Sequence, residues 1–440
     1  MPRNTSNFIA CCFRKGLPEA NIEFRITDRA VIETINDYHP NLVGISSVSQ
    51  NFTRAKQYAD FCASRAIPVI MGGVHISALP ECLPESAIVG CRHEGEDTFV
   101  ELIKAFLDNK FNPESLACIP GISFWKDGLL QHNEDRPQRE ALNQLPVPAR
   151  DLLNIRPHTY LFTSRGCPYR CTFCASSRFW DRLRFFSAEY VVDEIESLLR
   201  GYRVTMISFF DDLFVADRTR LEKIVWLLQK RRLLGRVRYT CSCRANTVDN
   251  SLAQLLAKMG VVSVGMGLES GDDETLRFLK GRDAGVAKND QAINILKTAK
   301  IAANGSFVIG SPHETREQIM RTYDFIRQSR LDLFDIYLLT PYPGTPIWDY
   351  ALKRNLVSND MTDWASLDVN VYRSPEKAII LSEVLERDEV IDLYKRFRRL
   401  RLRRNLQKIV THPMMRDVPR MGLNLLREWI SQRPNRKTNG

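Results

Sequence analysis

Short apolar, β-branched runs alternating with helical stretches place this 440-residue chain in the α/β class. Two observations set the architecture. Before about residue 135 the strand candidates are apolar throughout, as in a parallel sheet covered on both faces, which predicts a doubly wound, Rossmann-like domain. From about 156 to 345, six strand–helix repeats follow one another, which predicts an open (β/α)6 partial TIM barrel. The expected boundaries are 1–135 for the first domain, 136–155 for a linker, 156–365 for the barrel and 366–440 for a helical, basic tail.

Strands of the first domain are expected at Phe8–Cys12, Phe24–Thr27, Leu42–Val48, Val69–Gly72 and Ala87–Val89. Ile119-Pro-Gly-Ile-Ser-Phe-Trp-Lys-Asp-Gly then reads as a strand and turn. The proline-punctuated Leu145-Pro-Val-Pro-Ala-Arg-Asp follows as linker. Barrel strands are expected near Tyr160–Ser164, Thr205–Phe210, Arg236–Ser242, Val262–Leu268, Gly305–Gly310 and Phe334–Thr340, with helices between them such as Ala188–Leu199 and Arg218–Gln229. Chemistry in such a barrel sits on loops at the C-terminal ends of its strands. In the tail, eight basic residues between Lys395 and Lys408 interleave with Leu393, Tyr394, Phe397, Leu400 and Leu402, the pattern of an amphipathic helix. It is expected to pack on its own domain, its long basic stems covering apolar surface, so that neither nucleic acid nor a membrane surface is an expected partner.

A 44% hydrophobic and 26% charged composition describes an ordinary globular protein. The sequence has no uninterrupted apolar run of about twenty residues, which excludes a transmembrane helix. Met-Pro-Arg-Asn-Thr-Ser lacks the regions of a signal peptide. With no export signal, eleven cysteines point to reduced thiols and a cytoplasmic location.

The most informative run is Thr163-Ser-Arg-Gly-Cys167-Pro-Tyr-Arg-Cys171-Thr-Phe-Cys174, a C-x3-C-x2-C spacing directly after an apolar strand. Three thiolates on one loop hold three irons of a 4Fe–4S cube and leave the fourth without a protein ligand. An open metal position is where chemistry happens. With Phe173 before the last cysteine, the spacing resembles the signature of the radical S-adenosylmethionine superfamily. That resemblance implies a unique iron chelated by S-adenosylmethionine. Its reductive cleavage would yield a 5′-deoxyadenosyl radical that abstracts hydrogen from substrate.

The loops after the other strands carry candidate cofactor contacts: Asp211-Asp212 after the second, Arg244 after the third, Glu269-Ser270-Gly271 after the fourth, and Val308-Ile-Gly310-Ser-Pro-His-Glu314 after the fifth. Acids accept from ammonium or hydroxyl groups, an arginine recognises a carboxylate, and a glycine turn admits a ligand to the backbone. Taken singly, each has an ordinary structural explanation: a helix cap, a turn, or an ion pair between Glu269 and Arg244. In this order and spacing the phrases look like the radical S-adenosylmethionine enzymes with an N-terminal cobalamin-binding domain. By that resemblance Phe173 contacts adenine, Arg244 the methionyl carboxylate, Glu269 the ribose, and Val308 with Gly310 the adenine edge. Asp211 and Asp212 would face either cofactor amine or substrate.

Phrases of the first domain resemble the same family's cobalamin domain: Ser46-Ser47 in Asn41-Leu-Val-Gly-Ile-Ser-Ser-Val-Ser, Gly72-Gly73-Val-His75, and His93-Glu94-Gly95-Glu96. Hydroxyls and a glycine turn at strand C-termini would let a bulky nucleotide tail approach. The sequence has no Asp-x-His-x-x-Gly, so no histidine is assigned as a lower axial ligand. The link Phe13–Ile22 is too short for the loop and helix that the family places between its first two strands.

Together these features imply a radical S-adenosylmethionine enzyme for a small-molecule substrate, served by an electron donor such as flavodoxin or ferredoxin. Cobalamin-dependent methylation of an unactivated carbon is the leading reaction. The alternatives are cobalamin-independent cyclisation or rearrangement, methylthiolation, and a non-catalytic corrinoid- or metal-binding module.

Overall fold

The computed structural model describes residues 31–368, 377–408 and 411–413. Two sheets organise them. The first runs β1 (Val43–Ser46), β2 (Val69–Gly72), β3 (Val89–Cys91), β4 (Ile122–Lys126) and β5 (Leu129–His132) in that spatial order. β1 to β3 are parallel, while β4 and β5 add an antiparallel hairpin at the edge. Asp127 (φ 51°) and Gly128 (φ 75°) turn that hairpin, both left-handed as a tight two-residue reversal requires. The expected strands Phe8–Cys12 and Phe24–Thr27, and the Phe13–Ile22 link, lie outside the described residues.

The uninterrupted apolar run at β2 has a direct cause. Val69 and Met71 pack one face of the sheet with Phe52, Ala55 and Ala59, whereas Ile70 packs the other with Leu102, Ile103 and Phe124. A strand covered on both sides has no polar face to alternate with. The third strand begins at Val89 and not at Ala87, because the Ala87 amide donates to Pro84 O and closes a turn there. The first of these clusters continues into the barrel through Val308, Leu339 and Trp348, so one core spans the two sheets.

The second sheet is β6 (His158–Leu161), β9 (Met206–Phe209), β10 (Arg238–Cys243), β11 (Val261–Glu269), β12 (Ala302–Ile309) and β13 (Leu333–Leu338). All are parallel and neighbours in chain order, and β6 and β13 stay unpaired to each other, so the barrel is open. Leu161, Phe209, Tyr239, Cys241, Leu268 and Phe307 are buried on the helix-facing side. Tyr160, Ser242, Gly265, Gly267, Ser306 and Tyr337 alternate with such positions and are less buried, which assigns them to the lumen. Ser187, Asp217, Asp249 and Thr315 cap the helices that return the chain to β9, β10, β11 and β13.

The expected strand Tyr160–Ser164 is broken in two. Asp211 takes the Thr163 amide at 2.6 Å, removing it from the ladder, and Ser164–Arg165 (β7) instead pairs antiparallel with Arg184–Phe185 (β8). The helix Arg387–Lys408 covers the outer edge at β13 and buries Val390, Leu393, Tyr394 and Phe397. Three of its cations are engaged there: Arg401 donates to Phe334 O, Arg404 to Leu331 O and Ile326 O, and Lys408 lies 3.2 Å from Asp332. Such cover also protects an edge strand from pairing with another chain. No helix among the described residues is long and apolar enough to cross a membrane.

Candidate active site

The β7–β8 ribbon brackets the cysteine loop like a clasp. Gly166 opens the loop at φ 90°, and a Cβ there would lie 2.5 Å from Arg182 O, so only glycine passes. The loop is tied down by the Thr172 amide on Leu279 O at 3.0 Å and by Arg170 on Ser177 O. Cys167, Cys171 and Cys174 are free thiols, each half-buried. Burial pushes the Cys167 and Cys174 thiols up, and the Asp212 carboxylate adds to the effect.

Three thiolates on one loop are the donor chemistry of a cube with one open corner. No three His, Cys, Asp or Glu side chains among the described residues converge on one metal position. A cube asks for no such convergence, since each thiolate meets a different corner iron. The three cysteines share one short loop, in which the Cys174 amide donates to Cys171 O at 3.3 Å. Arg244 Nη1 stands 3.4 Å from Cys171 Sγ and supplies positive charge beside them.

Arg244 is held on two sides: its guanidinium stacks 3.9 Å over the Tyr169 ring, and Nη2 donates to Lys280 O at 2.9 Å. Glu269 ends β11 in the left-handed region at φ 60°, buried, 3.5 Å from Lys280 Nζ. Burial pushes its carboxyl up, while Lys280 and Arg244 pull it back. Gly267 makes this possible, for a Cβ there would meet Glu269 Oε1 at 2.3 Å. The ion pair imagined between Glu269 and Arg244 is therefore made with Lys280.

The two adjacent acids part ways. Asp211 accepts from the Thr163 amide, Thr163 Oγ1 and Ser164 Oγ, so its oxygens are committed to the start of the clasp. Asp212 accepts from Ser176 Oγ at 2.5 Å and lies beside the thiols; burial pushes its carboxyl up. Ser270 also turns away from the rim, its hydroxyl on Thr322 Oγ1 at 2.9 Å. Gly310 adopts φ 83°, and Glu314 accepts the Gly310 and Ser311 amides at 2.8 and 3.1 Å. Burial pushes the Glu314 carboxyl up to about 8.

Phe173, Glu269, Val308, Tyr337, Tyr342 and Gln50 line a cavity of about 320 Å³. That volume is at the lower end for small-ligand sites. Gln50 comes from the loop after β1, so the first sheet reaches this space through that residue.

The first sheet brings its own candidate residues together at the ends of β1 and β2. Ser46 ends β1 and is exposed; Ser47 is buried with Oγ unpartnered. Gly73, next to Gly72 at the end of β2, has φ 98°, and a Cβ there would meet Ser47 O at 2.4 Å. Gly73 thus packs directly on the Ser47 backbone, and the orphaned Ser47 hydroxyl is the polar group left there for a ligand to satisfy. His75 is walled in between Phe52 and Trp364 at 3.9 and 4.3 Å, with Nδ1 on Ser49 Oγ. Burial pushes its pKa down to about 3, so it stays neutral. Glu94 and Gly95 lie elsewhere: Glu94 binds Arg165 and Arg184 of the clasp, and Gly95 opens the helix Gly95–Leu107.

Tyr342 lies in the loop after the sixth strand, where a contact was expected, whereas Lys280, Tyr169, Gln50 and the clasp arginine pair were not anticipated. None carries a local spacing; each is brought in by contacts between distant segments.

The radical SAM superfamily model matches residues 161–326, and the B12 binding domain model matches residues 5–103. An uncharacterized methyltransferase of Pyrococcus horikoshii is 32% identical over 350 residues, covering 76% of this chain and 74% of that protein. The anaerobic magnesium-protoporphyrin IX monomethyl ester cyclase of Cereibacter sphaeroides is 24% identical over 84% of this chain and 62% of its own length. Among solved structures, the radical S-adenosylmethionine methyltransferase TsrM from Kitasatospora setae superposes with a TM-score of 0.66 at 20% identity, over 80% of this chain and 74% of that one. The cobalamin-dependent radical enzyme OxsB gives 0.64 at 19% identity, over 90% and 59%. At these identities the two structures speak for the fold.

Proposed function

The chain belongs to the radical SAM superfamily, with a B12-binding domain ahead of the barrel, and on that premise we propose that it methylates an unactivated carbon of a small molecule. One observation carries the reading: a single cavity is lined both by Gln50, from the loop after β1 of the first sheet, and by Phe173, Glu269 and Val308 of the barrel. A methyl donor held by one sheet and a radical source held by the other would meet the substrate there.

When bound, a 4Fe–4S cluster with S-adenosylmethionine supplies one-electron cleavage and hydrogen abstraction, and cobalamin supplies a transferable methyl group. Cys167, Cys171 and Cys174 would hold the cluster. Arg244, fixed by Tyr169 and Lys280 O, would take the methionyl carboxylate as a preoriented fork. Glu269 would accept from the ribose hydroxyls, kept in place by Lys280. Phe173, Val308 and Gly310 would pack and cradle adenine, and Asp212 would accept from the cofactor amine. Ser46, Ser47 and the Gly72–Gly73 turn would receive the corrinoid's nucleotide tail. Asp211, Ser270, His75, Glu94 and Gly95 would position these elements. Gln50 and Tyr342 would close the cavity against water, which strengthens every charge inside it. The free thiols suit a cytoplasmic enzyme reduced by a flavodoxin or ferredoxin.

Anaerobic reconstitution with hydroxocobalamin, followed by desalting, tests the methyl-transfer half. The wild type is expected to keep a corrinoid absorption band, and Gly73→Val to lose it while retaining its iron. A wild type that leaves the column without corrinoid contradicts the proposal.

A further inference from the structure

The lumen contains a feature that cluster and S-adenosylmethionine leave unused. Tyr160 and Phe162, from β6 and the residue after it, and Phe210, which follows β9, stack along one wall. Tyr160 and Phe210 centroids are 4.5 Å apart at 28°, and those of Phe162 and Phe210 are 6.1 Å apart at 30°. All three are on the lumen side, and Phe210 is 40% exposed. Buried aromatics normally spend their faces on protein; here a face is left open towards a concave space.

The strand register shows what adjoins it. Thr240 is opposite Ser208 and Ser242 is opposite Gly265, so the row at the height of Phe210 continues through Ser242 to Gly265. Two strand spacings carry it about 9–10 Å from the aromatic wall. At Gly265 an added Cβ would come no nearer than 3.9 Å to any atom outside its chain neighbours, so the space in front is open. Ser242 is exposed and offers its hydroxyl. From Tyr160 to Phe210 and Ser242 the lumen positions of β6, β9 and β10 carry no charge, Asp212 and Arg244 lying two residues further on; beneath them His158 holds Ser208 Oγ at 2.8 Å, and burial with the Arg238 charge pushes its pKa down.

We propose that Tyr160, Phe162 and Phe210 form a stacking shelf for a planar, uncharged aromatic portion of the substrate, which reaches over Gly265 and hydrogen-bonds Ser242. Stacked rings favour a π-face over a saturated ring of equal size, and a hydroxyl at the edge sets orientation. A charged group would lose hydration there without a partner. The inference rests on the barrel being the reaction chamber, but the shelf itself needs no cluster to bind.

Binding of 2-naphthol and of its saturated analogue 2-decalol to the purified protein separates the possibilities by calorimetry. The wild type is expected to prefer naphthol about two- to tenfold, the range that aromatic pairing supplies beyond area. Phe210→Leu keeps an apolar surface and should erase that preference. Gly265→Leu should weaken both ligands by filling the open space. Equal affinity of the wild type for the two, no binding of either, or an unchanged preference in Phe210→Leu overturns the shelf. Thermal unfolding confirms that each variant is folded. Iron content, measured on the same samples, reports on the radical chemistry separately: a naphthol preference in a chain that binds no cluster sinks the proposed function and leaves the shelf standing.

Discussion

Cys167→Ser, Cys171→Ser and Cys174→Ser should each strip the reconstituted chain of its cluster and abolish release of 5′-deoxyadenosine. The loop offers one thiolate to each of three irons, with no fourth cysteine in the run to replace a lost one. Losing an outer partner of a metal site typically costs 10–100-fold; losing a ligand from a three-ligand cube should exceed that. Iron should drop from about four per chain towards none. Cys241→Ala is the matched control. Its thiol faces the helices in the barrel core, away from the lumen, so this variant should keep its iron and lose only packing. Iron retained in any of the three serine variants contradicts the ligand assignment.

The second large effect concerns the clasp. Arg165, immediately before Gly166, binds both Glu94 and Glu96, and Glu94 also binds Arg184 at 2.9 Å. All four side chains are buried, and both arginines lie over Trp180. The two acids belong to the first turn of the helix after β3, so this cluster fastens the first sheet to the ribbon that frames the cysteines. Removing one partner of a buried pair leaves uncompensated charge and typically costs about 3–5 kcal/mol. Arg165→Met should therefore lower the urea midpoint sharply, and the double variant Arg165→Met/Glu96→Gln should recover part of the loss.

The pH dependence has a definite sign. Burial alone would raise the Glu94 carboxyl, but hydrogen bonds and charge from Arg184 and Arg165 outweigh it and hold it below the usual range. A depressed carboxylate contributes stability above its unfolded pKa of about 4.3, and that contribution disappears as pH falls through the folded value. Wild-type stability should thus fall away on acidification below about pH 4.3, and Arg165→Met should lose less over the same interval. A midpoint in Arg165→Met equal to the wild type's would show that the clasp holds nothing.

What was legible in the residues followed from period and position. The six barrel strands, the parallel core of the first sheet and the cysteine loop all rest on local patterns: apolar runs, turns and one short spacing. The strand ends also marked Arg244, Glu269, Phe173 and Val308, since a barrel presents its chemistry there. Pairings across long stretches of chain stayed hidden. Glu94 looked like part of a ligand crevice because its partners Arg165 and Arg184 come 71 and 90 residues later. Asp211 looked equivalent to Asp212, yet Thr163 and Ser164 claim one and leave the other beside the thiols. Gly267 was an anonymous strand glycine until the fold brought the Glu269 carboxylate back over it.

Electron paramagnetic resonance of the dithionite-reduced, anaerobically reconstituted protein, recorded with and without S-adenosylmethionine, goes straight to the open iron. A reduced 4Fe–4S signal that changes when S-adenosylmethionine is added is the expected result, because the cofactor then ligates a corner that no cysteine occupies. A signal indifferent to S-adenosylmethionine, or no cluster signal at all, would contradict the account.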